Sequence, residues 1–440
     1  MSPEVNRIAS SERVPSAADV VIVGGGIIGT AAAYFLAKQG VSVALVEKGY
    51  ISCEQSSRNW GWCRQQNRDA RELPLSHVSM ALWDSLAGEI GQDLGFRRCG
   101  QFYATDNPAV MAQWDSWGPM GRELGVDTRN LTRAEIAEHI PEAGRTWVGG
   151  VHSAGDGKAE PALAAPALAS GAQALGATIH QHCAARELDI SNGRVTGVHT
   201  EKGLIKASAV LVCAGAWAAR FLRAHQISFP QAGVRQTAVR TVPTMDLGNC
   251  LYSPDFTITR RLDGSYTMAI SGKATIDITP QGLRYSREFL PQFQKRLKNV
   301  RIAVGASFTS GPESLGSWLK IDNGIYERNR VLDPKPQQWL VRRIQQNVQK
   351  TFPQLRGVGI VGAWGSLVDC TPDAVPVISK VDQVSGLVLA AGCSGHGFGM
   401  GPGIGYLSAQ LLRDDEPCVD PTPFRLSRLV DGSPLNIAAI

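Results

Sequence analysis

The first clear signal along the chain is a change of hydrophobic period. Asp19-Val20-Val21-Ile22-Val23 is a short β-branched run of the kind that fits a parallel strand buried on both faces. Ile27 to Gln39 then has helical composition and stops at Gly40, and Val41 to Glu47 returns to a strand pattern. A strand-helix-strand unit accounts for all three. The same reading predicts a helix from about Leu73 to Leu86, a strand over Gly100 to Ala104 and an alanine-rich helix from Ala162 to Leu175. It adds a strand over Ala177 to His182, a hairpin through Asn192-Gly193, and a buried strand from Ala209 that runs into a glycine turn before Trp217.

From about Pro230 to Arg356 the pattern changes to alternating strands, such as Phe256 to Arg260 and Tyr266 to Ile270 around an Asp263-Gly264 turn. After Val358 to Gly362 the buried-strand and glycine-turn pattern of the N-terminal part returns with Gly386 to Gly392. The expected fold class is therefore α+β, with a discontinuous Rossmann-type domain (19–99, 146–229 and 357–430) and a mixed antiparallel-sheet domain (100–145 and 230–356). Residues 1–18 carry Glu4, Arg7, Glu12 and Arg13 without an apolar core, and are read as a disordered tail.

Composition narrows the class. The chain has 440 residues with 43% hydrophobic and 19% charged positions, enough for a large core and a poor match to intrinsic disorder. Its 44 Lys and Arg against 39 Asp and Glu give +5, spread without a basic block, which excludes a dedicated nucleic-acid binder. Nine cysteines at irregular spacing form no CxxC pair and no zinc-ligand pattern, so no metal site is expected and the thiols are read as reduced, in a cytoplasmic protein. Val20 to Ala37 is nearly long enough to pass for a membrane span, but Gly24-Gly25-Gly26 argues for strand, turn and helix instead, so no transmembrane segment is expected.

Glycine is the deviation that points to chemistry, with 47 in the chain and much of the excess in short runs. Gly24, Gly26 and Gly29 form a GxGxxG that follows a strand, opens a helix and is answered by Glu47 about twenty positions on. That context is the dinucleotide fingerprint: a tight turn, a pyrophosphate against a helix N-terminus, close strand–helix packing, and an acid for the ribose. The fingerprint fits NAD or FAD. Its place near the N-terminus, and the absence of a second one mid-chain, favour FAD. Gly395 to Gly405 adds six glycines in eleven positions leading into a helix, which suits an isoalloxazine ring whose reduced form carries negative charge.

These blocks, with Gly155-Asp156-Gly157, Glu160-Pro161, Ala214-Gly215-Ala216-Trp217, Cys370 to Pro376 and Ser394-Gly395-His396-Gly397-Phe398, resemble the D-amino acid oxidase superfamily. The resemblance is strongest to its sarcosine oxidase, glycine oxidase and opine-oxidase-like branch, and runs from Asp19 to about Leu412. It implies extended FAD and oxidation of a C–H bond beside an amine nitrogen, with hydride passing to flavin N5 and an imine left to hydrolyse. It further implies that Gly24, Gly25, Gly26, Ile27, Ile28, Gly29, Glu47 and Lys48 face the ADP half. Ser56, Ser57, Arg58, Asn59, Gly61 and Trp62 would flank the middle of the cofactor and Ala185 the adenine. Ala214, Gly215, Trp217 and Gly365 would line the cleft, and Gly395, His396, Gly397, Phe398, Gly399 and Met400 would face the flavin.

Two positions depart from the pattern. Sarcosine oxidases tether flavin through a cysteine where this chain has Ser366, so the cofactor is expected to be non-covalent. They also place a carboxylate-binding lysine where this chain has Gly399. Arg64 and Arg68 are the candidates to supply that charge, since guanidinium pairs bidentately with carboxylate. His396 is a candidate to orient substrate or tune the flavin, His396 and Arg64 being the candidate catalytic residues, and Trp60 is a candidate cage wall. The expected partners are an amine or amino-acid substrate, larger N-alkyl or opine-like forms above all, and oxygen or an electron-transfer acceptor, with self-association left open. Three rivals remain at this point: a flavin dehydrogenase of 2-hydroxy acids, a non-catalytic flavin-binding subunit, and a nicotinamide dehydrogenase.

Overall fold

A computed structural model describes residues 3–141, 143–297, 299–319 and 324–438. The strand Val20–Val23 is buried along its whole length and pairs in parallel with Val43–Val46 on one side and Ala209–Val212 on the other. Thr178–His180 and Leu387–Ala391 extend this sheet in parallel, and Val377–Lys380 closes it as an antiparallel edge.

Strand alternation sorts the side chains into two layers. Val20, Ile22, Val43 and Leu45 face the helices Ile27–Lys38, Leu73–Ile90, Ala164–Ala174 and Gly401–Arg413. Val21, Val23, Ala44 and Val46 face a three-stranded antiparallel sheet, Ala185–Ser191, Arg194–Thr200 and Gly203–Lys206. Its first hairpin turns at Asn192-Gly193, with φ of 50° and 71°, the left-handed pair that a two-residue hairpin requires. The first and last helices approach closely: a Cβ at Gly405 would lie 2.6 Å from the Cβ of Ala31, so glycine there serves packing.

The second sheet is mixed. Its order is Val300–Ala303, Ala274–Asp277, Ala232–Thr241, Tyr266–Ala269, Phe256–Arg260, Cys250–Ser253, Gln101–Thr105, Gly149–Ser153 and Thr128–Leu131. Ile360–Cys370 pairs along Ala232–Thr241 from the other side. Two pairs are parallel, Ala274–Asp277 with Val300–Ala303 and Cys250–Ser253 with Gln101–Thr105.

Two of these strands, Gly149–Ser153 and Ile360–Cys370, fall in segments 146–229 and 357–430, which the sequence assigns to the first domain. Short apolar runs look alike in either sheet; long-range register decides membership. The leader also departs from expectation. Residues 3–18 lie along the first domain, where Asn6 and Ser11 donate to the carbonyls of Ala162 and Ile179, and Ile8 and Val14 pack on its cores. Among the described residues, no helix is long and apolar enough to cross a membrane.

Candidate active site

A cavity of about 1240 Å³ runs from the first glycine turn, past the Ser52–Trp62 loop, to the Gly395–Phe398 loop and the helix Pro108–Glu123. Gly24 has φ of 115°, and a Cβ there would stand 2.5 Å from the carbonyl oxygen of Cys213. At Gly29 a Cβ would stand 2.0 Å from the Gly24 oxygen, so these glycines let the turn, the next strand and the helix close on one another. The helix Ile27–Lys38 opens onto the cavity with no acidic residue in its first turn, which leaves its N-terminal N–H groups and dipole suited to an anion. Ser56 Oγ accepts the Ile27 N–H at 2.9 Å.

Glu47 is buried, and its carboxylate accepts N–H groups of Gly25 at 2.8 Å and Gly49 at 2.7 Å. Burial raises its pKa, against the opposing pull of Lys48 and those N–H groups. It braces the turn; Oε1 also accepts from the Cys53 thiol at 3.7 Å, and Oε2 keeps a second acceptor direction. Lys48 also lines the cavity, but its ammonium is engaged by Glu54 and by the carbonyls of Asn329 and Arg330. Of the other residues carried over by resemblance, Arg58, Asn59, Trp62, Ala185, Ala214, Gly215 and Trp217 line the cavity, as do Gly395, His396, Gly397 and Phe398.

Six do not line it: Gly29, Ser57, Gly61, Gly365, Gly399 and Met400. Gly29, Gly61 and Gly365 are instead pressed against the backbone of Gly24, Ala159 and Pro334, and Met400 is in the helical core. Gly399 is held from behind by the helix Leu73–Ile90, with Ser79 Oγ and Trp83 Nε1 donating to its carbonyl at 2.8 and 2.7 Å. A Cβ at Gly399 would lie 2.8 Å from the Trp62 oxygen. A lysine would not fit there without a shift of that backbone, so the departure from the family pattern is built into the packing.

The same helix carries Glu72 just before its first turn, and the Glu72 carboxylate lies 2.9 Å from His396 Nδ1. Both side chains are buried. Burial, followed by the positive charge of Arg68, lowers the His396 pKa to about 4. For Glu72 burial acts upward, but His396 and Arg68 outweigh it and the pKa is lowered. The pair at neutral pH is therefore a carboxylate and a neutral imidazole whose Nδ1–H donates, which leaves Nε2 as an acceptor.

Arg68 is only 3% exposed and lines the cavity, yet its Nη1 has no hydrogen-bond partner among the described residues. Burial, then the neighbouring Arg64, lowers its pKa to about 10, so it stays charged at neutral pH. Arg64, half-buried and also lining the cavity, donates to the Gln66 carbonyl. Both guanidinium groups belong to residues that line the cavity, which makes this stretch of the lining a candidate anion site. Asp369, on the strand Ile360–Cys370, accepts the Gly392 N–H at 2.7 Å and is pushed up by burial to about 6.

The family model described as "FAD dependent oxidoreductase" (DAO) matches residues 19–411. The chain belongs to this family. Among its relatives, the chain is 26% identical over 424 residues to glycine oxidase of Geobacillus kaustophilus, covering 93% of this chain and 97% of that one. It is 25% identical to sarcosine oxidase subunit beta of an Arthrobacter species, covering 94% and 91% of the two chains. L-amino acid deaminase from Proteus myxofaciens, solved in complex with anthranilate, superposes with a TM-score of 0.90 at 26% identity over 97% of each chain.

The geometry of the cavity fits FAD. Its volume exceeds the roughly 300–1,000 Å³ of a single-ligand pocket, the glycine turn and open helix N-terminus meet a pyrophosphate, and Ala185 and Trp217 border the same end. Sequence reasoning missed Glu72, Asp369, Tyr103, Trp114 and Tyr252, all of which line the cavity or hold a residue that does. Trp114 and Trp117, at helical spacing, were the one signal the sequence held for any of them.

Proposed function

We propose that this chain oxidises the C–H bond next to the nitrogen of an amino acid or N-substituted amino acid, N-alkyl and opine-like forms included, with FAD held non-covalently. FAD supplies the hydride acceptor. The observation that carries the reading is the buried Arg68, a residue of the cavity lining whose Nη1 has no hydrogen-bond partner among the described residues. A substrate carboxylate there satisfies that donor and relieves the repulsion between Arg68 and Arg64.

The remaining groups support positioning rather than base chemistry. His396, with a pKa of about 4, is a weak base, and its Nδ1–H is committed to Glu72. That suits an amine that arrives neutral and needs no proton removed, and disfavours a 2-hydroxy acid, whose hydroxyl does. Ser366, which borders the cavity, offers a hydroxyl rather than a thiol where a tethering cysteine stands in sarcosine oxidases, and Glu47 accepts from the ribose hydroxyls. The imine product hydrolyses in water.

The test is the visible spectrum of the purified holoprotein before and after anaerobic addition of amino acids, N-alkyl amino acids and 2-hydroxy acids. Bleaching of the flavin band by amines alone is expected, as is release of the flavin into the supernatant on acid precipitation. Bleaching by hydroxy acids alone overturns the reading in favour of the dehydrogenase; a flavin that nothing bleaches makes the cofactor structural.

A further inference from the structure

Part of the cavity lining is a cluster of rings. Trp62, Tyr103, Trp114 and Tyr252 all line it. Their centroids lie 6.2 Å apart for Trp62 and Tyr103, 6.1 Å for Trp62 and Tyr252, 5.8 Å for Tyr103 and Trp114, and 5.2 Å for the two tyrosines. The polar atoms of three of the rings are tied back into the protein: Trp62 Nε1 donates to Thr259 Oγ1, the Tyr103 hydroxyl donates to Gln101 Oε1 at 3.3 Å, and the Tyr252 hydroxyl pairs with Ser271. What they offer the cavity is apolar face and edge.

This wall is joined to the anion site. Arg64 lines the same cavity as the rings, and its charge opposes the rise that burial gives the pKa of both Tyr103 and Tyr252. From the helix Pro108–Glu123, Trp117 donates its indole N–H to the Arg68 carbonyl at 2.9 Å, fixing that helix over the same space. The acids that line the cavity are Glu47, Glu54 and Asp369; the first two sit with Lys48 at the glycine-turn end, and Asp369 is bound to the Gly392 N–H. Among the described residues no carboxylate lines the ring wall, so a cationic side chain would be buried there without a partner.

We propose that the ring wall selects the side chain, and that the substrate is an amino acid whose α-carbon bears a large apolar or aromatic group and no cationic one. The inference rests on the oxidation reading for the carboxylate at Arg68 and narrows it. Glycine and sarcosine leave the wall wet and uncontacted, whereas phenylalanine, tryptophan or leucine bury apolar area against it. A difference of several methylenes corresponds to about 100-fold in kcat/KM.

Two measurements on the oxidised holoprotein test this. Calorimetric titration compares phenylacetate, a carboxylate with a ring, against acetate. Phenylacetate is expected to bind at least about tenfold more tightly, and the gap is expected to shrink in Trp114→Ala and in Val110→Asp, the second placing a carboxylate on a half-buried lining position of the helix Pro108–Glu123 without removing a core ring. Anaerobic stopped-flow then ranks phenylalanine, tryptophan, leucine, glycine, sarcosine, glutamate and lysine by rate of flavin bleaching. Equal affinity for the two carboxylates, or sarcosine, glycine or lysine bleaching as fast as phenylalanine, overturns the ring-wall proposal while leaving the oxidation reading standing. Tight phenylacetate binding with no bleaching by any amino acid does the reverse.

Discussion

Arg68 is the residue on which function and stability pull in opposite directions. A buried guanidinium with an unused donor and a like-charged neighbour costs folding energy, and the protein retains it on the wall of the cavity. Replacing it with methionine, similar in length and uncharged, is expected to leave the melting temperature of the apoprotein unchanged or raised, and to increase KM for the amino acid by about 10- to 100-fold, the worth of a charge-assisted hydrogen bond. A fall in both stability and cofactor content, with KM unchanged, would show Arg68 to be structural. For His396 the split is in kcat. Substitution by Asn is expected to lower amine turnover by about tenfold, well short of the 10²- to 10⁴-fold that loss of a general base brings. The sequence pointed to both residues because they sit in or beside glycine- and tryptophan-rich loops. It was silent on Glu72, which lies 2.9 Å from His396 yet far away along the chain, with no local pattern linking the two.

At the scale of elements, the glycine-rich segment after Cys393 divides in two. Gly395 and Gly397 belong to the cavity loop, whereas Gly401, Gly403 and Gly405 lie inside the helix Gly401–Arg413 and admit Ile27, Ser79 and Ala31. In the sequence the run reads as a flavin loop leading into a helix near Gly403, and the helix starts two residues earlier, because a glycine for ligand approach and a glycine for helix approach look the same. Gly405→Ala tests the division. The substitution adds about 1 kcal/mol of helix propensity, but its methyl would meet Ala31 Cβ at 2.6 Å. Overpacking is expected to prevail, destabilising the protein by about 1–3 kcal/mol, read as a lower denaturant midpoint with an unchanged flavin spectrum. A raised midpoint would mean the two helices have room to part. The first β-α-β unit was legible almost to the residue because period, cap and fingerprint agree there; the strands Gly149–Ser153 and Ile360–Cys370 were not, since their partners lie far off in the chain.

For the molecule as a whole, the seam between the two sheets is polar and contains a carboxylate without a countercharge among the groups that shift it. Glu313 accepts the Gly233 N–H and the Thr279 hydroxyl, Gln281 donates to the Gln231 carbonyl, and the Gln231 side chain reaches the Gly215 carbonyl of the cofactor-side turn at 2.9 Å. Burial, with Asp277 adding repulsion, raises the Glu313 pKa from 4.5 to about 7. The folded state therefore binds this proton more tightly than the unfolded state, and the stability it contributes is complete below pH 4.5 and is lost as pH rises towards 7. Asp156 and Asp369, raised from 3.8 to about 6, act in the same sense at lower pH. His396, lowered from 6.5 to about 4, opposes them, since its contribution is present above pH 6.5 and fades as pH falls. Near neutrality the Glu313 contribution is the one still changing. Glu313→Gln keeps an acceptor for Gly233 and gives Thr279 Oγ1 a donor, so it preserves the seam while removing the titration. Thermal melts with saturating FAD are expected to place the variant close to wild type at pH 5 and above it at pH 8. An equal offset at both pH values would show that Glu313 does not titrate in this window, and that the two sheets are joined by a seam indifferent to its charge.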